Sequence, residues 1–203
     1  MKTYTITTLK KENILLLLAL QQENLKRNLD AETIESQGFV SFVYSPDDIK
    51  GMMHDEPQII AVDGDEIVGY ALTASLEYAQ TVDLLRPLVE KSKTLIYNDT
   101  SLLPRSALSD SHATIRNDGL TYYIMGQVCV KAGYRGIGIF DALYHGHKEY
   151  LSAKYDGVIT EIATENKRSL AAHRRVGFTT IYKYYDEFSQ KDWEIVLWMF
   201  NDG

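Results

Sequence analysis

The sequence predicts a single α/β domain of alternating strands and helices, and three observations predict it. The chain has 203 residues, enough for one hydrophobic core and too few to need a second. Two apolar runs flank Asp63-Gly64, the signature of an antiparallel hairpin, because both turn positions tolerate positive φ. Residues 126–143 read as a buried strand, a glycine loop and the start of an amphipathic helix, and a further strand, a helix and two strands follow.

Taken in order, residues 3–9 alternate and are β-branched, which predicts a first strand. A Leu-rich helix follows from about residue 12 to 27. Asp30 caps a short second helix that Gly38 ends. Residues 39–44 read as a short strand or an extended loop, and Ser45-Pro46-Asp47-Asp48 opens a third helix to about His54. The hairpin strands are 59–62 and 65–72. A helix from 76 to about 91 is predicted next, then a polar run around Pro104. Residues 75–120 are expected to form a lid that selects substrate or an ordinary insertion at the sheet edge. Beyond the glycine loop, 157–164 is an apolar run that reads as a buried strand. Asn166 opens a helix that Gly177 closes, and strands at 178–185 and 193–200 complete the chain.

Composition excludes several classes. Lys plus Arg number 21 against 28 for Asp plus Glu, a net charge of −7, which disfavours nucleic acid and tilts the expected partner towards a cationic small molecule or basic peptide. A lone cysteine, Cys129, excludes an internal disulfide and suits a reducing, cytoplasmic setting. The apolar run 14–20 is far short of the roughly 20 residues that span a bilayer. The polar residues after it lack the small side chains of a signal-peptide cleavage site, so no membrane partner is expected. His145 and His147 point apart on a helix, and His54 and His112 show no ligand pattern, so no metal is expected. Tyr122, Tyr123, Tyr182, Tyr184 and Tyr185 read as strand packing rather than a platform for bases, given the acidic charge.

The chemistry concentrates in two stretches. Gly133, Gly136 and Gly138 lie between the strand 127–130 and a helix whose Phe140, Leu143, Tyr144, His147 and Leu151 share one face. Strand, glycine loop and helix N-terminus point backbone N–H groups one way, which suits an anion of phosphate type, and Arg135 adds a permanent positive charge. A dinucleotide fingerprint from Gly136 meets Asp141 where a third glycine is needed, and a Walker A reading from Gly133 meets Ile139 where lysine is required. Both fail. A glycine turn that merely leads a strand into a helix is the plainer alternative.

Arg135-Gly136-Ile137-Gly138-Ile139-Phe140 resembles motif A of the GCN5-related N-acetyltransferases, Arg/Gln-x-x-Gly-x-Gly/Ala, which follows that family's fourth strand and binds the pyrophosphate of acetyl-CoA. Phe140 departs at the last position. Residues 166–178 resemble motif B, Asn-x-x-Ala-x-x-Leu-Tyr-x-x-x-Gly-Phe, with Ser169 for the small Ala and His173 where Tyr is commonest. The resemblance covers 122–185 well and 57–73 loosely. It implies a mixed, mostly antiparallel central sheet with splayed strands and helices on both faces. Residues 1–203 would form one acetyltransferase domain with its acetyl-CoA-binding core at 122–185. The implied activity moves acetyl from acetyl-CoA, a cosubstrate, to a primary amine on a small molecule or at a peptide N-terminus, by direct attack in a ternary complex. The implied cofactor contacts are Val128, Cys129, Val130, Arg135, Gly136, Ile137, Gly138 and Asn166.

Two residues are the implied catalysts. Glu161 interrupts an apolar strand, where a carboxylate is unfavourable unless it is paired or faces a cleft. Its place five residues before the motif Asn matches a general base of protein N-terminal acetyltransferases in the family. An ion pair with Arg174 or Arg175 is the alternative. Asn166 and His173 stand two turns apart on the helix face carrying Leu170. Asn166 can bond the pantetheine arm, cap the helix, or do both. His173 takes the position that protonates the departing thiolate in the family, or is a helix-surface histidine. Nothing near Cys129 in sequence would activate it as an acyl carrier. A non-catalytic acyl-CoA sensor and another phosphate-ligand enzyme are the rival functions, and a homodimer stays open.

Overall fold

The computed structural model describes residues 2–98, 120–187 and 189–200. The expected polar run between the last helix before it and residue 120 lies outside the described residues. Seven strands form one sheet: β1 (Thr5–Thr8), β2 (Ile59–Asp63), β3 (Glu66–Ala74), β4 (Tyr122–Val130), β5 (Gly157–Ala163), β6 (Thr179–Asp186) and β7 (Lys191–Met199). Their order is β1-β2-β3-β4-β5-β7-β6, and every neighbouring pair is antiparallel except β4 and β5. The sheet is thus mixed and mostly antiparallel, as expected.

The helices are α1 (Ile14–Glu23), α2 (Ala31–Gln37), α3 (Pro46–Asp55), α4 (Leu76–Thr81), α5 (Arg86–Asn98), α6 (Ile139–Leu151) and α7 (Lys167–Val176). Alternation along the strands divides the core between the two faces of the sheet. On one face Leu17, Ile49 and Leu88, from α1, α3 and α5, pack with Tyr70, Leu72, Ile124 and Ile159. On the other, Leu143 and Tyr144 of α6 and Leu170 of α7 pack with Val68, Tyr123, Val158 and Val196. Among the described residues no helix is long and apolar enough to cross a membrane.

Two local expectations shift. The hairpin turn residues are Gly64 and Asp65, since Asp63 still pairs with Glu66, and Gly64 carries the positive φ of 59°. The helix expected over 76–91 is two helices, α4 and α5. Pro87 has no N–H for the carbonyl four residues earlier and its ring clashes there, so it starts a new helix instead of continuing the old one.

One irregularity matters for the site. The β3–β4 register jumps between Leu72↔Gln127 and Thr73↔Met125, which leaves Gly126 as an extra residue in β4. Without that bulge Gln127 would share the face of Met125. With it, Gln127 turns to the α1 side, where Tyr70 Oη donates to its Oε1 at 2.5 Å. Tyr44 Oη donates to the Gly126 carbonyl at 3.1 Å, and a Cβ on Gly126 would sit 2.9 Å from that hydroxyl, so close approach requires glycine here.

Candidate active site

The site begins where two strands part. β4 and β5 pair only from Tyr122↔Gly157 to Ile124↔Ile159. Just beyond, Thr160 Oγ1 donates to the Met125 carbonyl at 3.1 Å. Past that bond the β4 edge has no strand partner on the β5 side among the described residues, although β3 stays paired to it as far as Val130. A cavity of ≈ 320 Å³ opens there, lined by Val128 to Val130, the glycine loop, residues 37–40 and the N-terminal turns of α7. A second cavity of ≈ 110 Å³ shares Phe39, Val40, Val128, Asn166 and Ser169 with the first and continues the gap towards α5.

Gly133, Gly136 and Gly138 adopt φ of 81°, 80° and 91°, a region that L side chains avoid. A Cβ on Gly136 would meet nothing within 4 Å, so this glycine serves the backbone path and not crowding. Gly138 is the N-cap of α6 and supplies no side chain, which leaves the first-turn N–H groups at the cavity wall without a capping oxygen. Arg135 lines the cavity but folds back. Its Nε donates to the Val130 carbonyl at 3.0 Å and a terminal nitrogen donates to Asn24 Oδ1, so it braces the loop against the end of β4. Arg168, exposed on the first turn of α7, is a further cation on the cavity wall. Ile137 is 42% exposed and does not line the cavity. The Cys129 side chain belongs to the core beneath α1, and burial pushes its thiol up to about 12, so it stays protonated.

This architecture extends over the full length of solved acetyltransferases. NAA60 of Arabidopsis thaliana, in complex with acetyl-CoA, superposes with a TM-score of 0.64 at 15% identity, covering 98% of this chain and 99% of that one. The ribosomal-protein-S18-alanine N-acetyltransferase of Escherichia coli gives 0.60 at 11% identity, over 99% and 96%. A spermidine N-acetyltransferase chimera from Vibrio cholerae and hSSAT gives 0.57 at 12% identity, over 97% and 95%.

This chain has the fold of the GCN5-related N-acetyltransferases. No protein-family model and no curated protein matches its sequence.

Within this GCN5-related fold, the remaining expected residues fall differently. Asn166 is the N-cap of α7: its Oδ1 accepts the Ser169 N–H at 3.2 Å while its Nδ2 donates to the Phe39 carbonyl at 3.2 Å. It therefore caps the helix and also ties residue 39 to it. Glu161 is half-buried on β5 and lines the second cavity. It pairs with neither expected arginine, because Arg174 lies 3.0 Å from Glu194 and Arg175 lies 2.9 Å from Asp141. Instead Tyr184 Oη donates to Glu161 Oε2 at 2.6 Å. Burial raises the Glu161 pKa above the usual carboxylate range, with the Tyr184 bond and Lys91 opposing the rise. Lys91 Nζ sits 4.5 Å from the Tyr184 ring centroid. The sequence reading missed this role for Tyr184 and Lys91, which lie on β6 and α5.

His173 lines the second cavity yet is buried, which corrects the helix-surface alternative. It is 2% exposed, where the alternative reading placed it on the helix surface. Its Nδ1 bonds the Ser169 carbonyl at 2.8 Å and its Nε2 bonds Tyr144 Oη at 2.7 Å. A carbonyl can only accept, so Nδ1 carries the ring proton and Nε2 accepts from the tyrosine. Burial pushes the His173 pKa down to about 4, which leaves the ring neutral at pH 7. Helical spacing placed it on the correct side of α7; the enclosure by Tyr144 and Phe178 depends on α6 and on the chain after Gly177. Phe140 meets the same ring edge-on at 5.1 Å, so two of the departures from the family motifs, one from each motif, lie against each other. Among the described residues no group of three His, Cys, Asp or Glu side chains is arranged to hold a metal.

Proposed function

We propose that this protein moves the acetyl group of acetyl-CoA to a primary amine by direct attack within a ternary complex. One observation carries the reading: a β4 edge that no described strand pairs on the β5 side borders a cavity of ≈ 320 Å³ that runs into a loop of three glycines with positive φ. An unpaired strand edge can bond the amides of a pantetheine arm as it would bond another strand. The loop N–H groups and the α6 N-terminus suit the diphosphate, with Arg135 and Arg168 supplying positive charge. The contacts are assigned to Val128, Cys129 and Val130 through their backbone, to Arg135, Gly136 and Gly138 in the loop, to Ile137 through its backbone N–H only, since its side chain does not line the cavity, and to Asn166 at the helix cap.

In the reaction the amine lone pair attacks the thioester carbon, forming the C–N bond as the carbonyl oxygen takes up charge. Collapse then breaks the C–S bond, the sulfur leaves as thiolate, and the second proton of the now cationic nitrogen is released to solvent, leaving the neutral amide. An alkylamine with pKa near 10 arrives protonated and must first lose a proton, which Glu161 accepts directly or through water. Its raised pKa brings it closer to neutral pH, where a base works best. A backbone N–H of the β4 edge donated to the carbonyl oxygen would lower the barrier by about 3 kcal/mol. A thiol pKa near 8.5 means the leaving thiolate needs little acid assistance, and solvent supplies its proton. His173 is given no step.

Calorimetry with CoA and thiol release from acetyl-CoA with a panel of primary amines test the proposal. Binding together with release above the hydrolysis background is the expected result. Binding with background hydrolysis alone for every amine would make the protein an acyl-CoA sensor, and absence of binding would end the cosubstrate assignment.

A further inference from the structure

We infer that the acceptor is a monoamine whose nitrogen sits beside a compact apolar substituent, and that the acceptor pocket discriminates against polyamines. The inference rests on the acetyl-transfer reading and adds the acceptor to it. The second cavity, ≈ 110 Å³, lies where the gap between β4 and β5 runs out under α5. Among the described residues that line it, Glu161 is the only one with a charge, because burial keeps His173 neutral. Phe42, Leu84, Leu85, Leu88 and Trp193 supply much of the remaining wall.

The net charge of −7 favours a cationic acceptor in general, but the local arrangement decides more. One carboxylate can receive one ammonium and then its proton. Each further ammonium of a polyamine would lose hydration in a small, largely uncharged space with no second carboxylate among the described lining residues to meet it. The other charges near Glu161 do not repair this. Lys91 is a cation and repels a second ammonium, while Asp186 lies outside the cavity lining, accepts the Ser189 N–H at 2.7 Å and faces Lys91. Size points the same way. The space is small, ≈ 110 Å³, and opens into the first cavity, so it suits a compact substituent beside the nitrogen. An isobutyl group fits that description, whether it belongs to a small alkylamine or to the first residue of a peptide.

Leu84 is 50% exposed, so it can be changed without opening the core. The test measures kcat/KM by thiol release for isoamylamine, for a leucyl-glycine amide and for spermidine, using wild type, Leu84→Glu and a Leu84→Gln control. Wild type should prefer the better of the two monoamines over spermidine by about tenfold or more. Leu84→Glu should narrow that preference about threefold through the KM for spermidine, and Leu84→Gln should not. A faster leucyl peptide identifies a peptide N-terminus as the source of the amine; a faster isoamylamine identifies a small molecule. Spermidine as the equal or better substrate of wild type overturns this inference and leaves acetyl transfer standing. Bound CoA with no release for any of the three removes both.

Discussion

Glu161 has one hydrogen-bond partner and one nearby cation that pull its pKa in the same direction. Tyr184 donates to it and Lys91 lies near, both favouring the ionised form, while burial favours the protonated form and wins. Glu161→Gln keeps the shape and removes the base. The turnover rate at pH 7 should fall by about 100-fold or more while CoA affinity is nearly kept, and the limb of the pH–rate profile that reports the carboxyl should vanish. An unchanged profile would remove Glu161 from the mechanism. Tyr184→Phe removes the bond that lowers the Glu161 pKa, so the same limb should move to higher pH; movement to lower pH would contradict the assignment. The sequence exposed Glu161 as a carboxylate in an apolar strand. Its partners were hidden, because β6 and α5 reach it only through the fold.

At the scale of elements, β4 is shaped by the extra residue Gly126. Gly126→Ala would place a methyl group 2.9 Å from Tyr44 Oη, and either the bulge or Tyr44 must yield. The loss of stability, read from denaturant unfolding, should be about 1–3 kcal/mol. Because Tyr44→Phe removes the oxygen that clashes, the double variant should recover part of that loss, and strict additivity would show that the two groups do not interact. The glycine loop and the limits of α7 were legible because turn chemistry and caps act over a few residues: Asn166 and Gly177 bound the helix as expected. The bulge was not legible. It appears only when β4 is laid against β3, and nothing in the run 122–130 marks it beyond a glycine.

Across the whole molecule, two buried histidines couple stability to pH. His147 bonds the Ala71 carbonyl through Nε2 at 3.1 Å and Tyr123 Oη through Nδ1 at 2.8 Å; it is neutral, like His173, and burial pushes both pKa values down to about 4. Unfolded histidines titrate near pH 6.5. As pH falls below that value the unfolded chain takes up protons that the native state refuses, so stability is full above about 6.5 and is lost progressively down to about 4. The loss is on the order of 3 kcal/mol for each histidine. Carboxylates held low, such as Asp30 and Asp186, contribute their losses at still lower pH. His147→Gln should roughly halve the slope of unfolding free energy against pH in the 6.5 to 4 window, and an unaltered slope would exclude His147 as a source. By itself the sequence determined the alternation of strands and helices, the glycine loop and the caps of α7, because periodicity and turn preference are properties of neighbours in the chain. Only the tertiary structure decided where β4 leaves β5, that His173 turns into the core, and that Glu161 meets Tyr184 instead of an arginine. Each of those outcomes is a contest among residues far apart in the chain, settled by burial and by which polar partner the packed fold brings within reach.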